Sequence, residues 1–124
     1  VIGYQTKKFP GFYLTDSGFE IEYQADTADQ IASAIKARAS MKTNSSALIV
    51  ANPVKNQMDK KLHDSILASG LASAEKEGIT GKAVTPFLLE HFHTASDGDS
   101  LRVNIEIIKS NSALAADIAV ALNK

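Results

Sequence analysis

The sequence contains no cysteine, so this chain can form no disulfide, no thiolate metal site and no thiol nucleophile. It also lacks an excess of charge of one sign, because 13 basic and 14 acidic residues are mixed along it and the formal net charge is −1. Without a basic stripe, nucleic acid is not an expected partner. No apolar run reaches the ~18 residues that cross a bilayer, and no signal-peptide pattern opens the chain. These absences favour a cytoplasmic protein that binds neither nucleic acid nor membrane.

The residues that are present are typical of a folded domain. The chain has 124 residues, of which 44% are hydrophobic and 22% are charged, and this composition suits one domain or a large part of one. It begins at Val1, without a methionine and directly inside an apolar stretch. We therefore expect residues 1–124 to be the C-terminal segment of a single larger α/β domain whose N-terminal part is absent.

Three segments have the patterns of β-strands. Residues 1–5 form a short apolar stretch, and residues 19–23 alternate apolar and polar, as in a strand with one wet face. Residues 47–51 are an uninterrupted apolar run, which predicts a central strand buried on both faces of a sheet. A polar turn is predicted at 44–46. Few strands are available to flank the central one, so the rest of the sheet is expected on the absent segment.

Two helices are predicted beside that central strand. The first spans about 27–41, with Asp26 or Thr27 as its N-cap. The second spans about 58–77 and has apolar or small residues at four-residue steps. Gly78 follows it directly and is expected at the C′ position, where a left-handed backbone ends a helix.

Two more helices follow, and the last one carries an unusual pattern. Thr85 followed by proline is expected to cap the third helix, and the fourth is expected to begin near Leu101. One face of the fourth helix is apolar apart from two asparagines, and comprises Asn104, Ile108, Asn111, Ala115 and Ile118. Carboxamides on a buried stripe need hydrogen-bond partners. Either they tie the helix to a neighbouring loop, or they line a polar pocket.

Several segments resemble catalytic or metal-binding motifs but lack residues that those motifs require. The stretch 78–82 ends like a phosphate-binding P-loop, but it follows a helix, and Ala83 replaces the hydroxyl residue that would hold Mg²⁺. Residues 97–99 begin like a calcium loop, but the later ligand positions are apolar. His91 and His93 are two residues apart, which points them to different faces of a helix. We therefore expect no metal ligands in this chain.

Several sequence blocks are nevertheless distinctive. They are VIGYQTK at 1–7, FPGFY at 9–13, IVANP at 49–53, GITGK at 78–82, TPFLL at 85–89 and NI at 104–105. In order and spacing they resemble the pseudouridine-5′-phosphate glycosidase family, also called indigoidine synthase A-like proteins. The resemblance covers essentially the whole chain, but only the C-terminal portion of the longer family members.

The resemblance implies an α/β fold, namely the C-terminal part of an α/β/α sandwich with a mixed sheet. It also implies a homotrimer, a bound divalent metal, usually Mn²⁺, and reversible cleavage of the C–C glycosidic bond of pseudouridine 5′-phosphate to uracil and ribose 5-phosphate. In the family mechanism a lysine forms a Schiff base with the ring-opened sugar, carboxylates move protons and an aspartate anchors the metal through water. These residues lie upstream of Val1, so the chain alone is expected to be inactive.

Two site residues follow from the resemblance. Asn104, in the NI block, is expected to be a catalytic and substrate-binding residue that positions rather than transfers protons. Asn111 is expected to bind substrate, because it matches the second asparagine of a family Asn-Asn pair whose first member is replaced here by Ser110. The alternative function is a non-catalytic α/β module that binds a phosphosugar or a partner chain.

Overall fold

A computed structural model of the chain describes residues 1–43 and 45–124, so Asn44, in the predicted polar turn, lies outside the described residues. The elements of the described part are β1 (Ile2–Tyr4), β2 (Tyr23–Ala25), α1 (Ala28–Ser40), β3 (Val50–Ala51), α2 (Lys60–Lys76), a 3₁₀ helix (Gly81–Ala83), α3 (Val84–Ala95) and α4 (Asp99–Leu122). None of the helices described is both long and apolar enough to cross a membrane.

The three strands form a parallel sheet in the order β2-β1-β3. Ile2 of β1 is in register with Tyr23 on one side and with Val50 on the other. Antiparallel pairing within residues 1–43 and 45–124 is confined to an isolated bridge between Lys8 and Glu20. Helices pack around this small parallel sheet, which confirms the predicted α/β class.

The prediction of a central, doubly buried strand over 47–51 is wrong for this chain. Strand β3 contains two residues and lies at one edge of the sheet, since β1 occupies the middle position. Ile49 is 53% exposed, and Leu48 and Val50 are half-buried. The apolar run is therefore only partly covered, because no described strand pairs with the outer edge of β3.

The prediction of a strand over 19–23 is also wrong, since β2 begins only at Tyr23. Phe19 is 73% exposed and Tyr23 is 62% exposed, whereas Ile21 between them is buried. The segment preceding β2 instead folds back onto the loop after β1, where the Ile21 N–H donates to the Lys7 carbonyl over 2.8 Å. Local alternation does not distinguish such a paired loop from a regular strand.

The first two helices are confirmed together with their end signals. Helix α1 follows Thr27, whose Oγ1 accepts a hydrogen bond from the Gln30 N–H over 3.3 Å. Helix α2 ends before Gly78, which has a φ of +67° and so adopts the left-handed backbone expected of it. The Ile79 N–H then donates to the Ala74 carbonyl over 2.8 Å, closing a Schellman motif.

Helices α3 and α4 each begin earlier than predicted. The 3₁₀ helix leads directly into α3 at Val84, so Thr85 is the second helical residue rather than the cap. Pro86 still lies in the first turn, where a missing N–H costs nothing because these groups have no helical partner. Helix α4 starts at Asp99, because Gly98, with a φ of +83°, supplies the turn immediately before it.

The buried face of α4 is not the one predicted. Val103, Ile107 and Leu114 are 0%, 9% and 7% exposed and face the interior of the chain. Ile108 is 61% exposed and Asn111 is exposed, so the prediction that their face is buried is wrong for this chain. Apolar residues occupy more than one side of α4, and the neighbouring elements cover only one of them.

The uncovered side of α4 forms a continuous apolar surface around Asn104. We call it the open face and define it by Leu101, Asn104, Ile105, Ile108 and Asn111. Its three aliphatic side chains are 47%, 48% and 61% exposed in that order. A patch of this kind on an otherwise folded domain is typical of a surface that meets another protein segment.

Candidate functional site

The carboxyl ends of the three parallel strands meet at one edge of the sheet, where open α/β sheets usually bind ligands. Gln5 follows β1 and has a φ of +55°, an uncommon left-handed conformation for a residue with a side chain. Its Nε2 donates to the Asp26 carbonyl over 3.0 Å, just beyond β2. Asn52 follows β3 at the same edge. Polar amide side chains are thus placed where β1 and β3 end.

Asn52 connects this edge of the sheet to α4 by hydrogen bonds. Its Nδ2 donates to the Ser110 Oγ and to the Asn111 Oδ1, both over 3.0 Å. We call these three residues the carboxyl-edge cluster. Within the described residues, the Asn52 Oδ1 and the Asn111 Nδ2 make no further hydrogen bond, so the cluster retains one acceptor and one donor for another molecule.

A cavity of about 680 Å³ lies beside the cluster, and we call it the edge cavity. Its lining includes the polar residues Gln5, Asn52, Lys55, Glu106, Lys109 and Asp117. Two basic and two acidic side chains thus line the cavity together with the carboxamides. The volume is within the range of small-molecule sites, about 300–1,000 Å³. The arrangement can orient a small polar molecule by hydrogen bonds and charge.

Helix α4 supplies one wall of the edge cavity, and its first turns carry a small network of ion pairs. The Arg102 Nε contacts the Asp99 Oδ1 at 2.8 Å, and its Nη1 contacts the Glu106 Oε1 at 3.1 Å. The hydrogen bond that Arg102 donates to Asp99 is the main cause that raises the pKa of Arg102. The Glu106 Oε2 also accepts from the Asn56 Nδ2 over 3.4 Å. Glu106 is therefore held at the rim by partners on two sides.

The structure places the two predicted site residues differently. Asn111 belongs to the carboxyl-edge cluster, whereas Asn104 is half-buried and has no side-chain hydrogen bond to a described residue. At 100° per residue, Asn104 lies about half a turn around α4 from the residues that line the edge cavity. It is also two turns, or about 10 Å, from Asn111 along the helix axis. The role of Asn104 therefore remains a prediction, and it concerns the open face rather than the edge cavity.

Sequence reasoning missed Asn52 and the importance of its link to Ser110. A signal was available, since Asn52 is the first polar residue after the apolar run that ends in β3. Polar side chains directly after parallel strands collect at one edge of a sheet. The partner on α4 is 58 residues away in sequence, and no local pattern connects the two.

The expected metal is not provided for by this part of the chain. Across residues 1–43 and 45–124, no group of three or more His, Asp or Glu side chains could hold an ion. The described residues therefore do not fit a manganese site, and no step of the chemistry is assigned to a metal held by them.

A parallel sheet with helices packed around it and a polar cavity at its carboxyl edge is the architecture in which open α/β proteins commonly bind ligands. Residues 1–121 match the family profile of the indigoidine synthase A like proteins. The match spans nearly the entire chain, and the chain belongs to this family.

Curated relatives agree with this assignment. The chain is 54% identical over 123 residues to a pseudouridine-5′-phosphate glycosidase of Salinispora tropica, covering 98% of this chain and 38% of that protein. It is 41% identical over 125 residues to the enzyme of the same name from Geobacillus kaustophilus, covering 99% of this chain and 41% of that protein. The chain thus spans about two fifths of the length of the relatives it matches.

Solved structures share the fold. An indigoidine synthase A-like protein from Thermotoga maritima superimposes with a TM-score of 0.83 at 29% identity, covering 99% of this chain and 40% of that one. The prealnumycin C-glycosynthase AlnA, solved in complex with ribulose 5-phosphate, superimposes with a TM-score of 0.84 at 24% identity. That alignment covers 98% of this chain and 40% of AlnA.

Proposed function

We propose that this chain is the C-terminal portion of a cytoplasmic enzyme that hydrolyses the C–C glycosidic bond of pseudouridine 5′-phosphate, reversibly giving uracil and ribose 5-phosphate. The observation that carries the proposal is the family match over 1–121, together with relatives, one of them 54% identical, that bear the name of this glycosidase. The edge cavity is a separate feature, since its amides and charges suit a small polar molecule but it lies about half a turn around α4 from Asn104.

In this proposal the chain is catalytically incomplete. It spans about 40% of its relatives, and its described residues include no cluster of metal-binding side chains. The Schiff-base lysine, the proton-transferring carboxylates and the Mn²⁺ ligand would come from an N-terminal portion, and the complete enzyme would be a homotrimer. Ile108 on the open face and Ile49 beside the outer edge of β3 are 61% and 53% exposed, and both are natural contacts for that portion.

The proposed role of Asn104 follows from its position on the open face. A half-buried carboxamide among exposed aliphatic side chains has a donor and an acceptor to offer to whatever covers it. A carboxamide cannot act as a proton-transfer base near neutral pH, so Asn104 would orient a uracil edge or a sugar hydroxyl. Its site would be shared between this chain and the N-terminal portion.

The first experiment measures uracil release from pseudouridine 5′-phosphate, with and without Mn²⁺. The complete protein encoded with this segment should release uracil, whereas the 124-residue chain should not. Uracil release by the purified chain would show that the essential chemistry lies within it, contrary to the proposal. A complete protein that is folded and inactive would refute the assigned reaction.

A second experiment tests Asn104 in the complete protein. Loss of one well-placed donor commonly lowers turnover by about 10²–10³-fold. We expect at least a tenfold loss for Asn104→Ala and a comparable loss for Asn104→Asp, with little change in the thermal midpoint. Asn123→Ala, at the C-terminal end of α4 and outside the lining of either cavity, is the matched control. A lowered midpoint with normal turnover per folded molecule would identify Asn104 as structural.

The alternative function is a non-catalytic module that binds a phosphosugar. Lys55 and Lys109 in the lining of the edge cavity favour it, because ammonium groups are suited to phosphate oxygens. Titration of the chain with ribose 5-phosphate separates the two functions. Saturable binding to the chain, together with a complete protein that releases no uracil, would support the binding module.

A further inference from the structure

A second cavity, of about 950 Å³, lies between the loop over 11–18 and the helices α2 and α3, and it shares no lining residue with the edge cavity. We call it the aromatic cavity. Phe12, Tyr13 and Phe92 contribute rings to its lining, and Leu67, Leu88 and Leu89 contribute aliphatic side chains. Small-molecule sites are mostly apolar concave surfaces with a few polar groups that fix orientation. The aromatic cavity has this composition.

The backbone holds one aromatic ring at this cavity in a strained conformation. Phe12 has a φ of +64°, which is costly for a bulky side chain and is normally left to glycine. The Phe12 side chain is 46% exposed, so this backbone conformation does not bury its ring. It meets the Tyr13 ring edge-on, with centroids 4.6 Å apart. Outliers of this kind cluster at ligand clamps, where the surrounding structure maintains them.

A polar group of fixed orientation is present in the lining. The Gln57 Oε1 accepts hydrogen bonds from the Thr15 N–H over 2.9 Å and from the Thr15 Oγ1 over 2.8 Å. Both bonds engage the oxygen of the carboxamide. The Gln57 Nε2 donates to none of the residues that the structure describes. It is therefore an oriented donor beside aromatic and aliphatic walls, and a ligand carbonyl is the matching acceptor.

The charges around the cavity disfavour an anionic ligand. The Lys60 Nζ contacts the Asp64 Oδ2 at 2.7 Å, and the His63 Nδ1 contacts the Asp64 Oδ1 at 3.1 Å. Lys60 is thus already paired, while Asp16 adds another negative charge to the lining. A phosphosugar would meet no unpaired lysine here. The favoured ligand is uncharged.

We propose that the aromatic cavity is a binding site for an uncharged, flat, mainly apolar molecule that carries a carbonyl oxygen. The rings of Phe12 and Phe92 and the neighbouring leucines contact its faces and edges. The Gln57 Nε2 donates to its carbonyl. This site is separate from the carboxyl-edge cluster and takes a different chemical class from the proposed phosphorylated substrate.

The test is an NMR titration of the chain with naphthalene-1-carboxamide, with naphthalene-1-carboxylate as the anionic counterpart. The carboxamide should give saturable shifts confined to the lining of the aromatic cavity, with a dissociation constant of about 1 mM or tighter. The carboxylate should bind at least about fivefold more weakly. Equal binding of the two probes, or shifts centred on Asn52, would overturn the proposal.

Two variants fix the location. Leu89→Trp should narrow the cavity and weaken carboxamide binding at least about tenfold. Leu62→Trp is the matched control, because Leu89 and Leu62 are 38% and 39% exposed and Leu62 is not in the lining of the cavity. Its binding should be unchanged. Normal binding by Leu89→Trp would refute the site.

Gln57→Glu tests the donor itself. Glutamate keeps an oxygen for both Thr15 bonds and removes the Nε2 donor, so the loop can stay in place. Binding of the carboxamide should weaken at least about fivefold, the effect of one neutral hydrogen bond. Undiminished binding would show that Gln57 does not hold the ligand and would refute this recognition.

Discussion

Replacing Gly3 with alanine should disrupt the middle strand of the sheet. A Cβ added at Gly3 would lie 2.0 Å from the Thr6 carbonyl oxygen and 3.1 Å from its carbon. The chain leaves β1 through the left-handed Gln5, and this turn brings the Thr6 carbonyl back over the Gly3 Cα. The obstructing atoms belong to the backbone, so no side-chain rotation can relieve the overlap.

The expected loss in the free energy of unfolding follows from the backbone movement that the added Cβ requires. The backbone has to shift by more than about 1 Å, because optimal non-bonded contacts lie near 3.5–4.0 Å. Overpacking costs about 1–3 kcal/mol, and each disturbed backbone hydrogen bond adds about 1 kcal/mol. Two such bonds flank the site, from the Ile2 N–H to Ile49 and from the Gln5 N–H to Ala25, both 2.8 Å. We expect a loss of about 3–5 kcal/mol, out of a typical stability of about 5–15 kcal/mol.

Urea denaturation of the chain, followed by circular dichroism, measures this loss. Gly11→Ala is the matched control, since a Cβ there would meet its nearest neighbour, the Leu14 Cβ, at an ordinary 3.4 Å. We expect that control to change the free energy of unfolding by less than about 1 kcal/mol. A Gly3→Ala variant with the same midpoint as Gly11→Ala would refute the reasoning.

Three further predictions concern stability. Asn52→Ala removes both hydrogen bonds from the sheet edge to α4 and should cost about 1–3 kcal/mol in urea denaturation, whereas Asn56→Ala, whose side chain makes one long contact, should cost less than about 0.5 kcal/mol. Gly78→Ala should cost about 1 kcal/mol by thermal denaturation, because its φ of +67° is unfavourable for alanine although nothing lies within 4 Å; no loss would contradict this account. Burial raises the pKa of the Tyr13 phenol in the folded chain. The protonated phenol should therefore contribute its full share to the free energy of unfolding below the ordinary pKa of 10.0, and this contribution should be lost as pH rises through the higher pKa of the folded state. Unfolding midpoints from pH 8 to 11 should therefore fall less steeply for Tyr13→Phe than for the parent chain or for the exposed control Tyr23→Phe, and equal slopes would refute the assignment.

The sequence by itself determined the features that depend on neighbouring residues. Thr27 caps α1 because its hydroxyl reaches an N–H only three residues further along the chain. Gly78 ends α2 because glycine adopts a positive φ easily, and this also acts within one helical turn. The family resemblance was likewise confirmed, because it rests on residue identities in order along the chain. Asn104 and the metal remain predictions that only the complete protein can test.

Tertiary structure alone decided which apolar surfaces are covered and which distant polar residues meet. Helix α4 carries apolar side chains on several sides, and the position of its neighbours selects Val103 and Ile107 for burial rather than Ile108. The run ending in β3 has the composition of a doubly buried strand, yet burial requires a partner at its outer edge, which no described residue supplies. Asn52 meets Ser110 across 58 residues because the strand end and α4 pack together, and hydrogen bonds at that range depend on the fold rather than on any local pattern.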